Sequence, residues 1–200
     1  MTIKAIFFDI GGVLAKEDRE KQYYELAEIM NFDINKFQEL RKSKVDLFAE
    51  GKISEKEYLT FFSKALEIDF KKLRENWIRL AQKYYKIDTS VQNTIYKLKD
   101  NYILGTLTNI IPLHNRVRKT DDPYKDFKIK LLSFERGYKK PNPLFYKLIL
   151  EETNLNPQEV IFIDDYEPYL KPAQKLGMKT ILFRDNEKLV QDLRKLGVKI

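Results

Sequence analysis

The sequence predicts an α/β fold, a doubly wound parallel sheet carrying an inserted α-helical unit. Short apolar runs rich in β-branched and aromatic residues recur at positions 3–8, 102–108, 129–133, 159–163 and 179–183, the composition of buried strands. Segments with helical spacing lie between the later runs, and strands alternating with helices imply a parallel sheet. Residues 16–86 carry helical periodicity and no convincing strand, so this stretch reads as a helical insertion, leaving 1–15 and 87–200 as the sheet-bearing core.

Each element has its own signal. "IKAIFF" is an apolar run that stops at a single carboxylate, Asp9, followed by Gly11 and Gly12. Within the insertion, Ser54 and Glu57 stand at capping-box spacing ahead of Tyr58, Phe61, Phe62 and Ala65. Phe70, Leu73, Trp77, Leu80, Ala81 and Tyr84 form one apolar stripe, and Gly51 divides the insertion into two helical hairpins. At helical spacing these aromatics, with Tyr23, Tyr24 and Phe48, read as core. Beyond the insertion, Val91, Ile95 and Leu98 share a helix face. "YILGTLT" and "IKLLS" are strands, and "NPLFYKLILEE" is a helix with Pro143 in its first turn. "EVIFI" is a strand running into Asp164-Asp165, "KPAQKLGM" closes a helix at Gly177, "KTILF" is a strand, and the last helix ends at Gly197.

Composition narrows the function classes. The 200 residues include 43% hydrophobic and 34% charged residues, enough for a sizeable core beneath solvated helix faces and not the balance of a disordered chain. The absence of cysteine excludes disulfides, thiolate metal sites and a cysteine nucleophile. No apolar run is long enough to span a bilayer and the N-terminus lacks a signal-peptide layout, so the expectation is a soluble cytoplasmic protein without a membrane partner. The net charge of +7 is spread along the chain among acids, which reads as a solvated surface rather than a nucleic-acid patch. Oligomeric state is left open.

In a doubly wound sheet, ligands bind at the carboxyl ends of the strands near the switch point. Three predicted strands carry polar residues there: Asp9, Thr108-Asn109 and Asp164-Asp165. Asp9 running into Gly11-Gly12 sets a carboxylate beside backbone N–H groups that an anion can approach closely. A hydroxyl and an amide at the end of "TLTN" can hold phosphate oxygens. Lysine before proline in "GYKKPNP" places a cation near the strand ends. The adjacent acids of "FIDDY" repel one another unless a cation neutralises them, and a hard divalent ion suits oxygen ligands. Each piece taken singly also has a bland reading as a turn, a cap or a solvated lysine; the case rests on all four occurring in this order.

With these motifs the sequence resembles the haloacid dehalogenase-like hydrolases, mostly phosphatases, over its whole length. The resemblance implies a Rossmann-like core with a helical cap after the first strand, at 16–86. It implies that Asp9 is the nucleophile, attacking phosphorus to form an aspartyl phosphate. Thr108, Asn109, Gly11 and Gly12 would bind phosphoryl oxygens, and Lys140 would neutralise charge between Asp9 and phosphate. Magnesium would be held by Asp9, the main-chain oxygen of Gly11, Asp165 and Asp164, the last as a ligand or a supporting acid. Lys140 is assigned over Lys139 because the motif lysine directly precedes proline, and Lys139 stands ready to compensate. The implied reaction is magnesium-dependent hydrolysis of a small phosphorylated metabolite, such as a sugar phosphate.

The sequence departs from the family at two places. Phosphatases of the family usually carry a second Asp two residues after the first, to protonate the leaving alcohol; this chain has Gly11. General acid–base help is worth ~10²–10⁴ in rate, so its loss favours substrates with good leaving groups, or a proton from the cap, at whose entrance Glu17 and Asp18 lie. Tyr169 stands where related double-acid loops carry Asn or Asp. Two alternatives remain: a 2-haloacid dehalogenase, with Arg41 binding carboxylate or halide, and a binding protein of the same fold with weakened catalysis. His114, the only histidine, is read as a loop or surface residue without a role.

Overall fold

A computed structural model describes residues 2–118 and 122–200; Met1 and residues 119–121, assigned above to the core, lie outside the described residues. The elements run β1 (Ala5–Phe8), β2 (Ala15–Glu17), α1 (Arg19–Met30), α2 (Ile34–Ala49), α3 (Glu55–Leu66), α4 (Phe70–Lys83), β3 (Tyr85–Ile87), α5 (Thr89–Leu98), β4 (Ile103–Thr108) and α6 (Pro112–Arg118). They continue with β5 (Ile129–Leu132), α7 (Ser133–Arg136), α8 (Pro143–Thr153), a 3₁₀ turn at Pro157–Glu159, β6 (Val160–Asp164), α9 (Glu167–Lys175), β7 (Lys179–Leu182) and α10 (Asn186–Lys195).

The five predicted strands form one sheet in the order β5-β4-β1-β6-β7, and every neighbouring pair is parallel. Period-2 alternation sends Ile6 and Phe8 to one face and Ala5 and Phe7 to the other. The first pair packs with Ile95 and Leu98 of α5 and Leu189 and Leu193 of α10. The second packs with Phe145 and Ile149 of α8 and Ala173 of α9. Helices thus cover both faces, as the chain's unbroken apolar strands require. At the centre, Phe7 lies opposite Gly105, where a Cβ would fall 2.3 Å from the Phe7 ring, so this glycine makes room for β1.

Helices α1 to α4 enclose a separate apolar cluster of Tyr23, Phe37, Phe48, Tyr58, Phe62, Leu73 and Trp77. Ser54 and Glu57 close the predicted capping box. Asp18, Asp33 and Asp69 cap the other three helices by accepting main-chain N–H bonds, each satisfying orphan donors of a first turn. Gly51, after α2, has φ +67° and lies against the Phe134 carbonyl of α7, 2.1 Å from where a Cβ would stand. This close approach needs glycine.

One strand pair departs from the sequence reading. β2 and β3 form a short antiparallel ribbon, with Ala15 opposite Ile87 and Glu17 opposite Tyr85. Each strand has three residues, too few to leave an alternation in the sequence. The ribbon lies where the chain enters and leaves the helical segment.

β1 is the switch point of the sheet, because the chain continues to β4 on one side and to β6 on the other. The register sets Phe8 level with Thr106 and Ile163. Asp9 and Asp164 therefore emerge side by side, and Thr108 stands beyond them at the end of β4.

Candidate active site

Asp9 leaves β1 with its main-chain N–H donating to the Ile163 carbonyl at 2.9 Å, which keeps the residue in line with the sheet. Its side chain accepts from the Ile10 N–H at 2.7 Å. Lys140 reaches both acids: its Nζ lies 2.9 Å from Asp9 Oδ2 and 2.6 Å from Asp164 Oδ2. The other Asp164 oxygen accepts from the Tyr166 N–H at 3.0 Å. Lys139, the alternative lysine, instead pairs with Asp46 of α2 at 2.8 Å.

A wholly buried lysine needs explanation, since desolvation favours the neutral amine. Burial pulls Lys140 down, but the charges of Asp9 and Asp164 more than offset it and hold the lysine protonated above its ordinary value. Burial raises Asp164, and the Asp9 charge adds to this against the pull of Lys140. Asp165 is raised by burial and by Asp9 as well. The site thus holds three acids and one lysine, and burial together with the Asp9 charge opposes ionisation of Asp164 and Asp165.

Oxygen atoms of Asp9, Asp164 and Asp165 lie within 4.8 Å of one another. Carboxylate oxygens from two adjacent strand ends, with negative charge in excess, are the donor set of a hard divalent cation. Gly12 shapes the same corner: its φ is +80°, and a Cβ there would stand 2.0 Å from Asp165 Oδ2. Gly11 has no such restriction; the nearest atoms to a Cβ there are Arg118 Nη2 at 3.8 Å and Glu17 Oε2 at 3.9 Å.

The hydroxyl of Thr108 is buried and has no hydrogen-bond partner. Unpaired buried hydroxyls are costly, and this one ends the strand beside Asp9. Asn109 is placed differently from a free phosphate ligand. Its amide donates to the Lys140 carbonyl at 3.0 Å and accepts from the Lys140 N–H at 2.8 Å, so the side chain clamps the lysine loop. Ser133, which the sequence reading passed over, holds the same corner by bonding to both the N–H and the carbonyl of Ile110. A serine opening a short helix carries no motif that would have revealed this.

A cleft of about 270 Å³ runs between the strand ends and the helical segment, lined among others by Arg19, Arg41, Asn109, His114, Lys139 and Tyr169. The more open groove beside Tyr24 and Ile29 of α1 contains none of the site residues. Tyr169 does face the site, with its ring centroid 5.0 Å from Lys140 Nζ. His114 is neither a surface nor a loop residue. It lies buried in α6, accepts the Trp77 indole N–H at 3.2 Å, and is pushed down to about 3 by burial and by Arg19, so it is neutral. Arg41 donates to Gln38 at 3.2 Å and stacks over Tyr23.

The sequence matches the haloacid dehalogenase-like hydrolase family over residues 3–177. The chain belongs to that family. Among relatives of this chain, pig bifunctional epoxide hydrolase 2 is 43% identical over 79 residues, which are 39% of this chain and 14% of that protein. The match thus spans a small part of that longer protein. A D-ribitol-5-phosphate phosphatase of Bacteroides thetaiotaomicron is 24% identical over 197 residues, covering 89% of this chain and 90% of that one. A HAD family enzyme of the same organism, solved as a complex with magnesium and inorganic phosphate, superposes with a TM-score of 0.76 at 26% identity, covering 94% of this chain and 98% of the other.

Proposed function

We propose that this hydrolase is a phosphatase that cleaves a small phosphorylated metabolite through a phosphorylated Asp9. The observation that carries the reading is Lys140, wholly buried, bridging Asp9 and Asp164 in the corner that also contains the unpartnered Thr108 hydroxyl. A phosphate dianion approaching a carboxylate meets like charge, and positioned cations and donors are the remedy. Thr108 Oγ1 and the main-chain N–H of Gly11 donate to phosphoryl oxygens, whereas the Gly12 N–H, expected from the sequence to do the same, is taken by the Ala15 carbonyl at 2.8 Å. Lys140 balances the charge of Asp9 as a carboxylate oxygen of Asp9 attacks phosphorus. The P–O bond to the leaving alcohol breaks, and water then hydrolyses the aspartyl phosphate to free Asp9. Asn109 keeps Lys140 in place.

The three clustered acids fit magnesium by their oxygen donors and their excess negative charge. Asp9, Asp165 and the main-chain oxygen of Gly11 would hold it, with Asp164, already bound to Lys140 and the Tyr166 N–H, in support. When bound, the ion supplies positive charge to the transferring phosphoryl group. Helices α1 to α4 act as the cap over the cleft. Arg19, Arg41 and Lys139 give that cleft cationic walls suited to an anionic substrate, and the similarity to a D-ribitol-5-phosphate phosphatase supports a phosphorylated polyol or sugar.

The test is Asp9→Asn, which keeps size and removes the attacking charge. Turnover of every phosphate ester in a panel that includes sugar and polyol phosphates falls by on the order of 10⁴-fold or more, with the circular dichroism spectrum unchanged. Substantial hydrolysis by a folded Asp9→Asn protein would overturn the reading.

A further inference from the structure

The space left by Gly11 opens onto a charged network whose members Glu17 and Arg118 take no part in the reaction above. A Cβ at Gly11 would stand 3.9 Å from Glu17 Oε2 and 3.8 Å from Arg118 Nη2. Glu17 ends β2 and is held by two arginines. Arg118 donates to Oε1 through Nη2 at 2.7 Å and Nε at 3.2 Å, and Arg19 donates to Oε2 through Nη2 at 2.6 Å and Nε at 2.9 Å. Arg118 is wholly buried and also donates to the Tyr124 hydroxyl at 3.1 Å, which in turn bonds to Asn115.

This geometry excludes Glu17 as the missing proton donor. Four N–H groups fill the roughly four acceptor sites of a carboxylate. Burial opposes ionisation, yet Arg118 and Arg19 hold the carboxyl far below the ordinary glutamate range, so no proton resides there near neutral pH. Arg118 is excluded from contact by burial. Arg19 differs: its side chain is 45% exposed and it lines the cleft. Only Nε and one Nη2 hydrogen are engaged by Glu17, so the remaining guanidinium donors are free to meet a ligand. Buried Arg118 fixes Glu17, and Glu17 fixes Arg19 beside the space that a side chain at position 11 would occupy.

We propose that Arg19 is a catalytic residue that stabilises the leaving-group oxygen by hydrogen bonding, in place of proton donation from position 11. The inference rests on the phosphatase reading. As the bond from Asp9 to phosphorus forms, the P–O bond to the leaving group breaks and its electron pair goes to the departing oxygen. That oxygen leaves as an anion bound to the guanidinium, which keeps its proton, and solvent protonates the product after release. Such stabilisation matters most for phosphates of primary alcohols, the class to which a polyol 5-phosphate belongs, and least for phosphates of acidic hydroxyls, anomeric or acyl.

Single-turnover phosphorylation is measured over a series from alkyl phosphates through phenyl to 4-nitrophenyl and acetyl phosphate, for the wild type, Arg19→Met and Arg19→Lys. The residue is half-exposed in the first turn of α1, so these variants keep the fold, which thermal melts verify. Arg19→Met is expected to lose on the order of 10–100-fold on alkyl phosphates and about threefold or less on 4-nitrophenyl and acetyl phosphate, steepening the dependence on leaving-group pKa; Arg19→Lys recovers part of the slope. A loss uniform across the series, or confined to KM, shows that Arg19 only binds substrate and overturns the inference while leaving the phosphatase reading intact. If the wild type phosphorylates from none of these donors, the phosphatase reading itself falls.

Discussion

The strand ends and the helical segment bury their residues on opposite terms. Inside α1 to α4 the cluster is a lattice of rings: Phe37 lies 5.0 Å from Phe62 and 5.6 Å from Trp77, centroid to centroid. Its polar exceptions are few, and the indole N–H of Trp77 is satisfied by His114. At the ends of β1, β4 and β6 the buried groups are Asp9, Thr108, Lys140 and Asp164, none of which stabilises a fold by desolvation. The first region is arranged for stability. The second crowds three acids around a buried lysine. Because Tyr58 in the first region also buries a hydroxyl without a partner, as Thr108 does in the second, it is the concentration of charge that sets the strand ends apart.

Three substitutions sharpen or break that contrast. Trp77→Ala opens a cavity in the ring lattice and strands His114 Nε2; it is expected to cost ~3–5 kcal/mol in urea unfolding, and a cost below about 1 kcal/mol would show that the rings are not the segment's main support. Glu17→Gln tests a charge that is structural as well as local. Its folded pKa is depressed, so its contribution is present above the unfolded value and is lost as pH falls through that range towards the folded one. The variant should be less stable by about 2–3 kcal/mol at pH 7, and the gap to the wild type should narrow below about pH 4; a gap independent of pH would mean that Glu17 acts by packing. Thr108→Val makes the smallest change. It removes the unpartnered hydroxyl, so stability should hold or rise by up to about 1 kcal/mol, while inorganic phosphate should bind roughly tenfold more weakly by calorimetry. Weaker folding with unchanged phosphate binding would return Thr108 to the ordinary core.

The sheet was legible because its strands are continuous apolar runs broken by Gly, Pro and acids, and the helical segment because Trp77 and its neighbours keep one face. The corner of Asp9, Lys140, Asp164 and Asp165 was legible because each residue follows directly on a strand or precedes a proline. What stayed hidden depends on distant pairing. Arg118 meets Glu17 across 101 positions and His114 meets Trp77 across 37, and neither leaves a local pattern. The clamp by Asn109 was hidden for another reason: an amide at a strand end looks the same whether it turns to a ligand or to its own chain.

The ribbon of β2 and β3 has a consequence for how this chain can be rebuilt. Its two strands form an antiparallel hairpin whose turn is the whole excursion through α1 to α4. The ends of that excursion are held together by main-chain bonds between Ala15–Glu17 and Tyr85–Ile87, whatever lies between them. Loop-closure entropy grows only with the logarithm of length, about 0.6 kcal/mol per doubling. Closure therefore sets little limit on the size of the inserted piece, and the constraint on a replacement between Glu17 and Tyr85 is instead that it cover Ile111 and Leu113, which pack into the helical cluster.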